Sequence, residues 1–469
     1  MIFHPQELHK TDGCFRIFGA VNAAAHPCLN TSILKEFWAG FTFGASSLSV
    51  TEHDELCFTL GNAEPLPLNG HAYSIRVTPT GICVQGADKR KLTWGVMTLL
   101  DQLHATEDSE DRTVAEVDCC EIRDTPRIDT RMVHFCIFPE TELWELWRFV
   151  RLCGALKYTH IILEFWGTLR YDCLHELSWS SAFTKEQIRP ILREARDLGM
   201  EVIPMFNHWG HASAGRVVHG KHVVLDQNPA LQTYFSEDGW CWDIRKPKVR
   251  ALLRQIRDEL IELCGEGAYF HIGCDEAYNF DLTKENMDFL CDFINEISRE
   301  LMAQGRRAIA WGDMFLYRHP RYHSGNRYNC NAPTPEAERY LLEHLSRDVL
   351  IADWQYHAPV APVETSFVFR DKGFDCLLCP WDRGMEEMKA SVATVKEHAL
   401  MGIMHTTWHT LSLGMPYVVV AAAGCFEDIS DKTMRTYRTH TAALLRKVMP
   451  IGGDYAKAGW SKIEIASLW

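Results

Sequence analysis

The chain has 469 residues, with 62 acidic against 48 basic side chains, a formal net charge of −14 and 46% hydrophobic residues. This length suits one large α/β barrel with a smaller companion domain, and the composition excludes a disordered, collagen-like or coiled-coil chain. A negative chain repels phosphate backbones, and no basic run with interleaved aromatic residues offsets the charge. We therefore expect no nucleic-acid partner.

The amino-terminal stretch MIFHPQELHKTDGCFRIFG has no basic segment followed by an apolar one. No later stretch reaches the roughly 18 apolar residues that cross a bilayer, so we expect no membrane partner. The 17 cysteines are odd in number and follow no spaced framework, which favours free thiols in a reducing, cytoplasmic location. Cys376 and Cys379 form a CxxC pair inside the apolar run FDCLLCP, and we interpret them as packed strand thiols rather than a redox pair or metal site.

Residues 1–125 are predicted to form a small α+β domain. Alternating apolar residues predict a strand at Ala72–Val77 and a second at Gly81–Val84, and Leu92–Leu103 is typical of a helix. A polar joint at Arg123–Pro126 then precedes a different pattern.

Residues 126–450 alternate between apolar strand-like runs and amphipathic helices. One helix is predicted from a capping box at Thr184 and Gln187 to Gly199, and another is striped by apolar residues from Met287 to Leu301. The predicted strands are 129–137, 158–166, 201–207, 268–273, 307–312, 349–355, 374–379 and 401–408. Eight successive β/α units favour closure into a (β/α)8 TIM barrel, which leaves 451–469 as a C-terminal tail.

Polar and aromatic residues follow nearly every predicted barrel strand, where such barrels carry their active sites. Four of these strands end in tryptophan within one or two residues, a repetition that solvated strand exits do not explain. We interpret the ring as an aromatic pocket of carbohydrate size. The candidate residues are Glu164, Trp166, Asn207 to His211, Asp275, Glu276, Trp311, Asp313, Trp354, Tyr356, Trp381, Asp382 and Trp408 to Thr410.

Two adjacent carboxylates, Asp275 and Glu276, follow the apolar strand that ends at Gly273. In an extended chain neighbouring side chains point in opposite directions, so we expect the two to serve one pocket in different roles. A second carboxylate and a dry aromatic setting would raise the pKa of a general acid, while an ionised partner would stabilise a developing cation. The alternative is a solvated Asp-Glu pair at a strand exit.

His271-Ile-Gly-Cys-Asp275-Glu276 resembles the His-x-Gly-Gly-Asp-Glu motif of family 20 glycoside hydrolases, the β-N-acetylhexosaminidases. Other stretches are similar to that family in the same order, over about residues 60 to 415. They are Asp88 to Leu103 at the end of the small domain, Pro126-Arg127-Ile128 with Arg131 on the first barrel strand, Ile203-Pro204 through Gly210-His211-Ala212 on the third, and Trp311, Trp354 and Trp408 as pocket walls.

The resemblance implies exo-acting, retaining hydrolysis in which the 2-acetamido oxygen of the sugar attacks the anomeric carbon. It implies that Asp275 orients the acetamido nitrogen, Glu276 acts as acid and then base, and His211 supports Glu276 through a hydrogen bond. It further implies that Arg131 holds ring hydroxyls and that no metal or cofactor is required. The expected partner is an N-acetylhexosamine-containing oligosaccharide or glycoconjugate, and a homodimer stays open.

Four positions depart from the family pattern. The second glycine of the motif is Cys274, a thiol that could confer sensitivity to thiol reagents, and Glu164 is the only charge where the family has His-x-x-Asp. A glutamate that binds ring hydroxyls is replaced by Thr410, and Tyr356 is the candidate substitute for an unmatched acetamide-binding tyrosine. We therefore expect a preference for GalNAc or a modified hexosamine over plain GlcNAc.

Two other functions stay open. A metal-dependent barrel hydrolase would use the histidines His208, His211, His219 and His222 or the pair His405 and His409, but the first strand carries His134 alone instead of a His-x-His pair. A barrel that binds glycans without cutting them would need no acid, whereas this chain keeps both Asp275 and Glu276. No phosphate-binding loop, serine nucleophile elbow or dinucleotide motif is present in the sequence.

Overall fold

The structure is a computed structural model that describes residues 3–213, 224–278, 280–408, 411–429 and 433–449. The amino-terminal part forms one eight-stranded sheet, and the rest forms a closed barrel of eight parallel strands surrounded by helices. The prediction of a TIM barrel preceded by a small α+β domain is confirmed.

The sheet of the small domain is mixed, with spatial order β1-β8-β5-β6-β4-β2-β3 and β7 paired to β8. Helices α1 and α2 pack against this sheet through buried apolar faces. Its strands are β1 Glu7–Ile17, β2 Gly19–Ala25, β3 Ser46–Glu52, β4 Cys57–Gly61, β5 Tyr73–Thr78, β6 Gly81–Gly86, β7 His104–Glu107 and β8 Thr113–Asp124; its helices are α1 Thr31–Phe41 and α2 Lys89–Gln102.

The barrel strands follow chain order, and the last pairs with the first to close the ring. Each of the eight lies inside its predicted range, with ends that differ from the predicted ones by at most three residues. They are β9 Thr130–Cys136, β10 His160–Glu164, β11 Glu201–Met205, β12 Tyr269–His271, β13 Arg307–Trp311, β14 Leu350–Asp353, β15 Cys376–Leu378 and β16 Gly402–His405.

Helices such as α4, α6 and α7 bury an apolar stripe against the barrel strands, so the main core lies between the barrel and the helices. The predicted capping box at Thr184 and Gln187 is present at the start of α4. The helices are α3 Leu143–Ala155, α4 Lys185–Asp197, α5 Val224–Gln227, α6 Pro247–Cys264, α7 Lys284–Ala303, α8 Pro335–His344, α9 Thr365–Asp371, α10 Met385–His398, α11 Leu411–Gly424 and α12 Met434–Val448.

A second, smaller core fills the barrel itself. Inward-facing side chains from alternate positions stack there, including Met132, Ile162, Ile203 and Leu350, with Trp311 near the carboxyl ends of the strands. The barrel is therefore closed by packed side chains, and its function must lie on the loops after the strands.

The small domain docks on the barrel through a buried polar contact. The Lys157 ammonium donates to the Tyr73 hydroxyl at 3.0 Å and to Thr98 Oγ1 at 2.8 Å. Burial lowers the pKa of Lys157 to about 8. In the described part of the chain, no helix is both long enough and apolar enough to span a bilayer.

Candidate active site

Asp275 and Glu276 follow β12 at the carboxyl end of the barrel, and both contact the same histidine. His211 Nε2 lies 3.3 Å from Asp275 Oδ2 and 3.0 Å from Glu276 Oε2. The extended backbone assumed for this segment in the sequence analysis is wrong. Cys274 and Glu276 adopt left-handed backbone angles, with φ of 74° and 47°, and this turn brings both carboxylates to His211.

Two glycines allow the segments after β11 and β12 to approach this closely. A Cβ on Gly210 would lie 2.0 Å from the backbone oxygen of Asp275, and a Cβ on Gly273 would lie 2.2 Å from Asn207 Oδ1. Gly273 also has a φ of +68°, which favours glycine. The absence of side chains at these positions lets the loop that carries His211 lie directly against the loop that carries the acid pair.

Asp313, on the loop after β13, connects the acid pair to the aromatic wall. Its Oδ2 accepts the backbone N–H of Glu276 at 3.0 Å and the amide of Asn331 at 2.7 Å, and its Oδ1 accepts the indole N–H of Trp354 at 3.0 Å. Burial, together with the charges of Asp275 and Glu276, raises the pKa of Asp313 to about 7. Three carboxyl groups therefore share one dry site, and Asp313 anchors Glu276 on its backbone side.

The aromatic residues predicted at the strand ends do form a continuous wall. Tyr356 is at its centre, with its ring 5.0 Å from those of Trp354 and Trp381. The Tyr356 hydroxyl accepts the indole N–H of Trp408 at 2.7 Å, and Trp408 lies 5.9 Å from the ring of Trp311. Asp382, half-buried, follows Trp381 on the same loop. The wall thus combines flat apolar faces with one buried hydroxyl.

Two residues that the sequence analysis did not select contact Glu276. The indole of Trp240 donates to the Glu276 backbone oxygen at 2.7 Å, and its ring centroid lies 4.5 Å from that of His211. The Tyr278 hydroxyl donates to Glu276 Oε1. Tyr278 is two residues beyond the acid and Trp240 lies in the long β11–α6 connection, so a search for aromatic residues near the motif would have found only Tyr278.

Glu164 is at the end of β10 as predicted, but it lies beneath the pocket. It is fully buried, 3.1 Å from His134 Nε2, and it accepts the indole N–H of Trp166. His134 in turn contacts Trp408, with ring centroids 4.6 Å apart and the ring planes tilted by 50°. In this position Glu164 supports the wall from below. The prediction that Glu164 contacts the substrate is corrected accordingly, because its side chain is fully buried.

Arg131 does not lie with these residues. It is the second residue of β9 and therefore at the amino end of the barrel, where its guanidinium donates to the backbone oxygens of Lys157, Ile128 and Asp129 and covers the Trp94 ring at 4.4 Å. The expectation that Arg131 holds ring hydroxyls is corrected accordingly, because the pocket lies at the opposite end of the strand. In this position Arg131 contributes to the joint between the domains.

The thiol of Cys274 is fully buried behind the acid pair, and burial raises its pKa well above the usual range. A buried neutral thiol is a poor nucleophile, which argues against the sensitivity to thiol reagents suggested by its position. Cys376 and Cys379 are likewise buried with raised pKa values, in agreement with packed strand thiols.

Two groups among the described residues have metal-type donor atoms within 4.8 Å of one another. One is His211, Asp275 and Glu276, and the other is His53, Glu55 and Cys57 in the small domain. His208 is buried with its Nδ1 at 2.6 Å from a backbone oxygen and outside both groups, as is His405. His219, His222, His409 and Thr410 lie outside the described residues.

Comparisons with known proteins agree with this geometry. The model of the glycosyl hydrolase family 20 catalytic domain matches residues 160–361, and that of family 20 domain 2 matches residues 4–125. A β-hexosaminidase of Porphyromonas gingivalis is 23% identical over 54% of this chain and 37% of its own length, so the chain matches little more than a third of that relative.

Solved structures of the family have the same fold. The exo-β-N-acetylglucosaminidase of Vibrio harveyi superposes with a TM-score of 0.67 at 16% identity, covering 95% of this chain and 76% of that one. The N-acetyl-β-hexosaminidase of Streptomyces plicatus superposes with a TM-score of 0.64 at 15% identity, covering 95% of this chain and 94% of that one. Together, the two family models and the shared fold show that the chain belongs to glycoside hydrolase family 20.

Proposed function

We propose that this glycoside hydrolase removes terminal β-linked N-acetylhexosamine with the sugar's own 2-acetamido group as nucleophile. The observation that carries the proposal is the convergence of Asp275 and Glu276 on one histidine, beneath an aromatic wall, at the carboxyl end of the barrel. The resemblance to β-hexosaminidases supports the same substrate class.

The two carboxylates differ in their surroundings. Asp275 is 6% exposed, and its Oδ1 has no hydrogen-bond partner within the described residues, so this oxygen is available to accept an acetamido N–H. The side chain of Glu276 is 26% exposed and lies at the open side of the pocket. Asp275 therefore orients and charge-stabilises the acetamido group, and Glu276 protonates the leaving oxygen and later deprotonates water.

The acetamido oxygen needs a donor, and Tyr356 is the proposed one. Its hydroxyl accepts from the Trp408 indole at 2.7 Å and from Thr406 Oγ1 at 3.0 Å, so its own hydrogen can be donated to the substrate. Burial raises the pKa of Tyr356 well above the usual range, so the hydroxyl stays protonated. The walls formed by Trp354, Trp381 and Trp408 would pack against the sugar ring.

One sequence position that binds ring hydroxyls in the family is changed in this chain. Thr410, which lies outside the described residues, stands where the family has a glutamate. We therefore propose that GalNAc or a modified hexosamine is preferred over plain GlcNAc. A tenfold faster rate on plain aryl β-GlcNAc than on the others would contradict this preference.

The test is hydrolysis of aryl β-GlcNAc and β-GalNAc by wild type and Glu276→Gln, with and without a thiazoline mimic of the cyclic intermediate. We expect the variant to lose about 10²–10⁴ in kcat, because proton transfer to the leaving group is removed. We expect the thiazoline to inhibit the wild type. Tight thiazoline binding without any hydrolysis would instead favour a glycan-binding barrel.

A further inference from the structure

We propose that Tyr278 is a positioning residue for Glu276, and that it identifies Oε1 as the oxygen that exchanges the proton with the substrate. The inference rests on the proposed function, in which Glu276 is the acid and base. It concerns a residue outside the pattern shared with the family motif, and it derives from the contacts around Glu276 alone.

Every polar atom of Glu276 has a partner. The backbone N–H donates to Asp313 Oδ2 at 3.0 Å, and the backbone oxygen accepts from the Trp240 indole at 2.7 Å. Oε2 lies 3.0 Å from His211 Nε2, and Oε1 accepts from the Tyr278 hydroxyl. Asp313 and Trp240 are buried and His211 is partly buried, whereas Tyr278 is 44% exposed. The contact to Oε1 is therefore the one that an arriving substrate can displace.

The contacts of Glu276 also indicate which of its two carboxylate oxygens carries the transferable proton. His211 Nε2 lies between two carboxylate oxygens, on Asp275 and on Glu276, so this nitrogen donates and Glu276 Oε2 accepts. The transferable proton then belongs on Oε1. A phenol suits that position, because it donates to the ionised carboxylate and accepts from the protonated acid.

In the first chemical step, the Oε1–H bond breaks and a new O–H bond forms on the glycosidic oxygen. The bond between that oxygen and the anomeric carbon breaks, its electron pair stays with the leaving oxygen, and the acetamido oxygen bonds to the anomeric carbon. Glu276 is left ionised, and a hydroxyl that donates to Oε1 favours this form. Tyr278 should therefore lower the pKa of the acid in the free enzyme.

The Tyr278 ring is held independently of its hydroxyl. It stacks on Trp240 with an interplanar angle of 19° and centroids 6.5 Å apart. Phenylalanine keeps this stacking, so Tyr278→Phe removes the hydroxyl that donates to Oε1 and retains the ring. Tyr340→Phe is a matched control, because the Tyr340 hydroxyl also donates to a carboxylate, that of Asp288, on the surface between α7 and α8.

The experiment is the pH profile of kcat/KM on an aryl β-N-acetylhexosaminide for wild type, Tyr278→Phe and Tyr340→Phe, with thermal melts to verify folding. We expect the alkaline limb of Tyr278→Phe to lie about one pH unit higher than that of wild type. Tyr340→Phe should superimpose on wild type. Tyr278→Ala, which also lacks the hydroxyl, should show the same shift if the phenylalanine variant folds poorly.

Each outcome decides the inference. An active wild type whose alkaline limb is unmoved in both Tyr278 variants would overturn the role of Tyr278 and leave the proposed function intact. A uniform loss of kcat at every pH, without a shift, would also overturn it, because that is what a purely structural role produces. A wild type that hydrolyses no N-acetylhexosaminide would overturn the proposed function and the inference together.

Discussion

Replacing Gly210 with alanine should displace the acid pair without unfolding the protein. A Cβ at this position would lie 2.0 Å from the backbone oxygen of Asp275, whereas real Cβ atoms essentially never approach a heavy atom below 3.0 Å. The loop that carries Asp275 must therefore move by about 1 Å, and a misplacement of that size costs on the order of 10² in rate. The backbone of Gly210 is not left-handed, so the effect comes from space alone.

The assay is kcat on aryl β-GlcNAc and β-GalNAc, with the melting temperature measured in parallel. The matched control is Gly414→Ala in α11, where the nearest atom to the new Cβ is Thr407 Cγ2 at 3.7 Å. Alanine within a helix stabilises by about 0.5–1 kcal/mol relative to glycine, so this control should keep its rate and melt slightly higher. A Gly210→Ala enzyme with the kcat of wild type would refute the close packing of the two loops.

Three further outcomes are expected. Asp275→Asn should lower kcat by about 10²–10³, measured on the same glycosides, because it removes the charge that stabilises the acetamido group; a wild-type rate would exclude that role. In the native protein maleimide should leave Cys274 unmodified in peptide mass maps until the fold is lost, and its labelling with loss of activity would contradict its burial. In the folded protein the pKa of Asp313 is raised to about 7 from 3.8, so between these pH values its carboxyl is protonated in the folded state and ionised in the unfolded state. Its contribution to stability is therefore present below pH 4 and is lost as the pH rises to 7. Melting temperatures of Asp313→Asn between pH 4 and 7 should therefore fall less steeply than those of wild type, and equal slopes would show that Asp313 does not titrate in this range.

The barrel could be predicted because each of its strands is a short apolar run, buried on both faces and followed by an amphipathic helix. The small domain was predicted only in part. Gly19–Ala25 forms a strand although its sequence, GAVNAAA, has little strand propensity, because β3 and β4 pair with it on both sides. Pairing of this kind depends on segments distant in sequence.

The acid pair and the ring of aromatic residues were predicted because carboxyl ends of parallel strands meet at one end of a barrel. The same rule shows why Arg131 was misplaced, since it stands at the beginning of its strand. The turn that brings Asp275 and Glu276 to one histidine was not predicted, because it depends on left-handed angles at Cys274 and Glu276, which no propensity of these residue types indicates. Trp240 was missed because its contact with Glu276 spans 36 residues of chain.

Participation of the acetamido group is the central claim, and it is tested most directly by changing that group alone. The measurement compares kcat/KM of the wild-type enzyme on two aryl β-glycosides with the same leaving group, one bearing a 2-acetamido group and the other a 2-hydroxyl, in each of the gluco and galacto series. We expect the acetamido substrate of the preferred series to be hydrolysed at least about 10³-fold faster, because the hydroxyl substrate lacks the internal nucleophile that well-oriented intramolecular attack requires. Comparable rates on the two substrates would show that a group of the protein supplies the nucleophile, and would contradict the mechanism.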